Sequence, residues 1–203
     1  MTKKNLIKKK IDTTSLIGYV AILVIILSLA NIGIELTGRV TDTGSIYMEI
    51  ISETNINFSV SNVNFGNGNL DLGATSATID TLGNVVNGNW TAITQGFIIE
   101  NIGNNNVTLK LASEKTAAQF LSGTNPVYQY NISNSEANSC TESEVTLGAW
   151  TDVNSTSPGT LICNPLDFVN SQNEIRIDIK LTIPSDSNTG EQTDTFTATA
   201  TAV

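Results

Sequence analysis

The chain contains no histidine and only two cysteines among its 203 residues. Histidine is the commonest general base and a frequent metal ligand, so its absence removes the usual basis of acid–base and metal chemistry. If the two cysteines pair, no thiolate nucleophile is left, and neither a G-x-S-x-G nor a C-x-x-C motif occurs. We therefore expect no enzyme, no catalytic residue, no cofactor and no small-molecule substrate.

Charged residues are also scarce, at 14% of the chain against roughly 25% in ordinary soluble domains. From residue 37 onward the sequence holds 17 acidic residues and only five basic ones. A surface this acidic repels phosphate backbones, so nucleic-acid binding is not expected. Half of the ten basic residues fall within the first ten positions: Lys3, Lys4, Lys8, Lys9 and Lys10.

A stretch without any charge follows these lysines, from Thr13 to Ile34. As a helix it would measure about 33 Å, enough for the roughly 30 Å core of a bilayer. Lysines before it and acidic residues after it favour a cytoplasmic N-terminus and an external remainder. We expect a basic leader at 1–12, a transmembrane or assembly helix at 13–36, and an extracellular domain at 37–203.

Three roles for this helix stay open. Small residues at Ser28 and Ala30 would suit a cleaved secretory signal, although the apolar run continues to Ile34. A permanent signal-anchor is the second role. The third is a pilin-type helix that is trimmed near Ser15 and packs inside a filament. In the last two roles the contact positions would include Ser15, Gly18, Tyr19, Ile26 and Ile34.

The run Lys8-Lys9-Lys10, the step to Ser15-Leu16-Ile17-Gly18-Tyr19-Val20, and the aliphatic stretch after it resemble the N-terminus of archaeal type IV pilins and archaellins. The resemblance covers about 30 residues. It implies a membrane-inserted assembly helix, a β-rich head at the cell surface, and homo-oligomerisation into a filament.

Beyond Arg39 the sequence alternates with period two, which is typical of strands buried on one face. The clearest strand is Asn173 to Ile183, with isoleucines and a leucine on one face and Arg176, Asp178 and Lys180 on the other. Thr193 to Val203 alternates Phe196, Ala198, Ala200 and Ala202 with threonines. Only Glu114 to Leu121 indicates a short helix.

The last two strands resemble the closing hairpin of extracellular immunoglobulin-like modules and of TasA-like fibre proteins. Many short strands with polar turns favour a sandwich. The predicted fold is all-β: an immunoglobulin-like Greek-key β-sandwich preceded by one long N-terminal hydrophobic α-helix.

Cys140 and Cys163 lie on the predicted external side, where one disulfide is the simplest arrangement. Five asparagines stand in N-glycosylation sequons: Asn57, Asn89, Asn106, Asn131 and Asn154. Oxygen-bearing residues in Asn67 to Asp71 and in Asp186 to Glu191 offer a weak possibility of calcium binding, but neither segment completes an EF-hand.

The leading hypothesis is a pilin-like structural subunit of a cell-surface filament. The alternatives are a membrane-anchored cell-envelope or adhesion module and a TasA-like secreted matrix fibre. In the fibre, an extended segment such as Ser45 to Val60 would supply a strand to the next subunit.

Overall fold

A computed structural model describes residues 12–36 and 44–203, except for the side chains of residues 29–36. The chain divides into two units, and the second, Ile50–Val203, contains every strand in the described residues. Each unit is described by itself.

The N-terminal helix α1 spans Thr13–Leu36. No helix within residues 12–36 and 44–203 combines the length and apolar character needed to cross a membrane. The predicted long hydrophobic membrane helix is therefore wrong.

Ten strands and one short helix form the second unit. In chain order they are β1 (Ile56–Val60), β2 (Ser76–Asp80), β3 (Val85–Val86), β4 (Phe97–Asn101), β5 (Val107–Ser113), α2 (Ala117–Leu121), β6 (Val127–Asn134), β7 (Thr151–Asp152), β8 (Thr160–Leu166), β9 (Glu174–Pro184) and β10 (Phe196–Ala202). Seven strands make one antiparallel sheet around β9, and β10, β5 and β8 make a second antiparallel sheet in that order.

The two sheets enclose one hydrophobic core, to which β9 contributes Ile175, Ile177, Ile179 and Leu181. This row is the one that the alternation in the sequence predicts. Strands β4, β5, β6 and β8 supply most of the remaining buried side chains. The structure is therefore mostly antiparallel β-sheet in two layers, which is compatible with a β-sandwich.

The strand order is not that of an immunoglobulin domain. There the first strand pairs with the second, and the disulfide joins the two sheets. Here β1 pairs with β4, and Cys140 forms an isolated bridge beside β8, the strand that carries Cys163. The immunoglobulin-like part of the predicted fold is therefore also wrong, because alternation reveals strands but not which strands become neighbours.

One edge of β9 is shared by two strands. Residues Glu174–Ile177 pair with β4 and Lys180–Pro184 with β2, which leaves a fork at Asp178. The Asp178 carboxylate fills this fork by accepting hydrogen bonds from Thr81 at 2.6 Å and from Arg176 at 2.6 and 2.9 Å. Asp178 is consequently buried, although the alternation places it on the outer face.

The short helix α2 begins later than the sequence indicates. Thr116 caps it by accepting a hydrogen bond from the Gln119 backbone, while the Gln119 side chain accepts one from the Thr116 N–H. This reciprocal pair satisfies two donors at the first turn and fixes the start of the helix.

Candidate functional site

The three-stranded sheet has two edges, and the edge at β8 is covered. Cys140 lies antiparallel to Leu166, the Asn164 N–H donates to the Glu142 carbonyl at 2.7 Å, and the Glu144 N–H donates to the Leu161 carbonyl at 3.1 Å. The Cys140–Cys163 disulfide, with Cα atoms 5.5 Å apart, ties this covering segment to the strand. The predicted cysteine pairing is compatible with this geometry.

The opposite edge, at β10, pairs with β5 on one side only. The Glu114 N–H donates to the Thr195 carbonyl, and the Val203 N–H donates to the Asn106 carbonyl. The register then makes the odd-numbered residues of β10 the ones whose backbone groups bond to β5. In an antiparallel ladder the intervening residues direct their N–H and C=O groups the other way. These residues are Phe196, Ala198, Ala200 and Ala202. In the described part of the chain, no strand lies on the side of β10 toward which their N–H and C=O groups point.

The core is thin along this edge. Inward-facing residues on β5 and β8, such as Leu109 and Ile162, are fully buried, whereas Ala198 and Ala200 on β10 are only half-buried. The inward residues of β1, the edge strand of the larger sheet, are half-buried as well. We call the resulting apolar surface the seam; it consists of Ile56, Phe58, Phe196, Ala198 and Ala200.

A series of aromatic contacts links the two sides of the seam. Phe97 on β4 lies with its ring centroid 5.8 Å from that of Phe58 and 5.7 Å from that of Phe196. Tyr128 on β6 also contacts the Phe196 ring, at 5.8 Å. These contacts hold the first residue of β10 in place while the alanines that follow leave the seam shallow.

A partly buried hydrogen bond fixes the chain just before β10. The Tyr128 hydroxyl donates to the Asp194 carboxylate at 2.9 Å. Burial, and next the negative charge of Asp194, raises the pKa of Tyr128 far above its usual range. Lys115 adds a hydrogen bond to the Thr193 carbonyl. The strand is thus anchored at its start, so its free edge is a fixed surface.

A second apolar surface precedes β1. Residues 44–55 form no helix or strand, and within them the run Ser45 to Ile51, here called the apolar segment, carries five large apolar side chains. All five are strongly exposed, with Ile46 at 99%: Ile46, Tyr47, Met48, Ile50 and Ile51. Isolated exposed apolar residues are ordinary, but a continuous run usually marks an interaction site.

The five sequons occupy different environments. Asn57, on the solvent face of β1, and Asn89 are exposed. Asn106 is half-buried with its side-chain oxygen bonded to Phe168, and Asn154 is half-buried with its amide nitrogen donating to Thr160. Asn131, only 7% exposed, lies beside Asp178 across the β6–β9 pair, so its side chain is buried. The other four remain predicted glycosylation sites.

The structure adds little on the remaining predicted positions. Ser15, Gly18, Tyr19 and Ile26 are exposed on α1, and the side chain of Ile34 lies outside the described residues. The carboxylate of Asp186 accepts two hydrogen bonds from Thr124, at 2.9 and 2.7 Å. Over residues 12–36 and 44–203, no group of three histidine, cysteine, aspartate or glutamate side chains is placed to hold a metal ion.

Fold and site together define a class: a mostly antiparallel β-sheet protein in which the smaller sheet has one covered edge and one open edge, with an exposed apolar segment before the first strand. No protein-family model matches the chain, and no curated protein or solved structure matches it.

Proposed function

We propose that this chain is a structural subunit of a cell-surface filament. One observation carries the proposal: the same chain presents two different apolar surfaces, the apolar segment and the seam. Apolar surfaces of this kind gain free energy by leaving water, at about 25 cal/mol per Å².

The apolar segment and the seam differ from each other, and a contact between two different surfaces favours a filament over a closed dimer. When the surface that one copy offers differs from the surface that the next copy offers, each contact leaves both kinds free at the ends. Such a head-to-tail contact extends without limit unless its rotation closes a ring. The acidic composition supports the same role, because like-charged subunits stay apart until a specific contact holds them.

Among the predicted forms of such a subunit, the TasA-like secreted fibre is the one that these two surfaces favour. A fibre of that kind is held by contacts between heads and needs no membrane helix in the finished assembly. The location at the cell surface and the homo-oligomeric partner remain part of the proposal. Glycans at exposed sequons would add solubility.

The test is immunogold electron microscopy of material sheared from intact cells, with antibodies against residues 50–203. We expect the antibodies to decorate continuous fibres, and purified full-length chain to form similar fibres in solution. Labelling confined to the cell envelope, with no fibres in either preparation, would contradict the proposal and support the anchored envelope or adhesion module instead.

A further inference from the structure

We infer that the apolar segment of one copy adds as an antiparallel strand to the free edge of β10 in the next copy, with Ile46, Met48 and Ile50 filling the seam. This inference rests on the proposed function and specifies its contact. An added strand would pair with the outward backbone groups of β10, which is a general mode of peptide recognition.

The lengths and the periodicities of the two elements agree. The apolar segment has seven residues, as does β10. In a strand, alternate side chains share a face, so Ile46, Met48 and Ile50 would point one way and Tyr47, Glu49 and Ile51 the other. The first set is wholly apolar and suits the seam. The second contains the carboxylate of Glu49 and suits the solvent face.

The sizes of the side chains define a register. Placing Met48 opposite Ala200 sets Ile46 opposite Ala202 and Ile50 opposite Ala198, so each large residue meets a small one. The same alignment sets the small Ser52 opposite the large Phe196. On the outer face Glu49 then lies opposite the exposed Thr199. We assign the antiparallel direction because antiparallel pairing is slightly more stable per residue.

Other exposed edges suit the apolar segment less well. The outer edge of β8 already bonds to the segment that follows Cys140. Strands β3 and β7 have two residues each. The pairing of β1 with β4 is interrupted by a shift of register between Phe58 and Val60. Among the strands in residues 44–203, only β10 combines seven regular residues, a free backbone edge and a row of small inward side chains.

A pair of cysteine variants tests the contact between copies. Full-length Glu49→Cys and Thr199→Cys proteins are mixed and oxidised, with the native pair left intact. We expect a disulfide between the two chains, since facing residues on paired strands have Cβ atoms about 5 Å apart. Thr197→Cys, two residues out of register, is the control and should cross-link several-fold less.

A second pair of variants tests which face enters the seam. Met48→Asp places a carboxylate against the alanines, whereas Tyr47→Asp adds the same charge on the solvent face. We expect Met48→Asp to raise the concentration needed for assembly by at least about tenfold because burying a charge is costly. Tyr47→Asp should change it by less than about twofold. Equal effects of the two changes would overturn the assigned face.

The outcomes separate the inference from the proposed function. Fibres that form normally but give no Glu49→Cys to Thr199→Cys cross-link would overturn the strand addition and leave the filament subunit intact. A chain carrying both Glu49→Cys and Thr199→Cys provides a further check. If it cross-links only within single chains, the segment folds back on its own β10, which also overturns the inference. Absence of both fibres and cross-links would contradict the proposed function itself.

Discussion

The two edges of the three-stranded sheet are equal in length, but one is covered by another segment and the other is open. Strand β8 is bordered by a segment that the disulfide holds in place, whereas β10, also seven residues long, borders solvent. Unpaired edges invite association with other chains, and natural proteins usually protect them. Within this sheet, the edge at β8 is therefore closed to a further strand, and the edge at β10 is available for one.

Truncation of a buried side chain should destabilise the protein more near the covered edge than at the seam. Ile162 on β8 is fully buried, while Ile56 on β1 belongs to the half-buried seam. We expect Ile162→Ala to lower the free energy of unfolding by about 2–5 kcal/mol, and Ile56→Ala by less than half as much. Urea unfolding of the unassembled protein measures both. Equal losses would mean that the seam is as well packed as the covered edge.

Removal of the disulfide should weaken the covered edge specifically. The double change of Cys140 and Cys163 to alanine opens a loop with a sequence separation of 23 residues, which corresponds to roughly 3 kcal/mol in the loop-entropy description. We also expect faster hydrogen exchange at the Asn164 amide, which bonds to the covering segment. An unchanged exchange rate there would show that the segment stays in place without the disulfide.

Replacement of alanine by valine should cost more stability in the closely packed core than at the half-buried seam. Ala77 on β2 is completely buried, and Ala200 on β10 is half-buried. Ala77→Val should cost about 1–3 kcal/mol through overpacking, whereas Ala200→Val should be within about 1 kcal/mol of the wild type. Thermal unfolding of both variants, compared at one protein concentration, provides the measurement. A large loss at Ala200 would show that the seam has no spare room.

The smallest effect concerns the loop that leads into β10. Hydrogen bonds from the Thr124 backbone and hydroxyl hold the pKa of Asp186 below its ordinary value of 3.8. A lowered pKa in the folded state contributes stability above the ordinary value, and this contribution is lost as the pH falls through the folded pKa. Asp186→Asn should therefore be slightly less stable than the wild type near neutrality and indistinguishable at strongly acidic pH. A difference in unfolding temperature that persists in acid would contradict this.

The sequence predicted the strands better than their arrangement. The alternation in Asn173 to Ile183 and in Thr193 to Val203 foretold β9 and β10 and their inward rows, because a strand with one buried face repeats every two residues. The fork at Asp178 was not foreseen, since it depends on two different strands sharing one edge of β9. The burial of Asn131 was not foreseen for the same reason: it comes from neighbours distant in the chain.

The candidate site was visible only in part. The apolar character of Ser45 to Ile51 could be read directly, as could the small residues of β10. That β10 forms an edge depends on the order β10-β5-β8, which local patterns do not encode. The helix shows the reverse case: an uncharged run suggested a membrane crossing, and the described helix does not meet the requirement.

What the sequence by itself determined is the local content of this protein: β-strands with one apolar face, two cysteines, an acidic domain and an apolar run before the first strand. These follow from side-chain chemistry and period alone. Only the tertiary structure decided which edge is covered, which is open and which polar side chains are buried. Those properties arise because strand pairing brings together residues that are far apart in the chain. Whether a side chain is buried depends on these spatial neighbours.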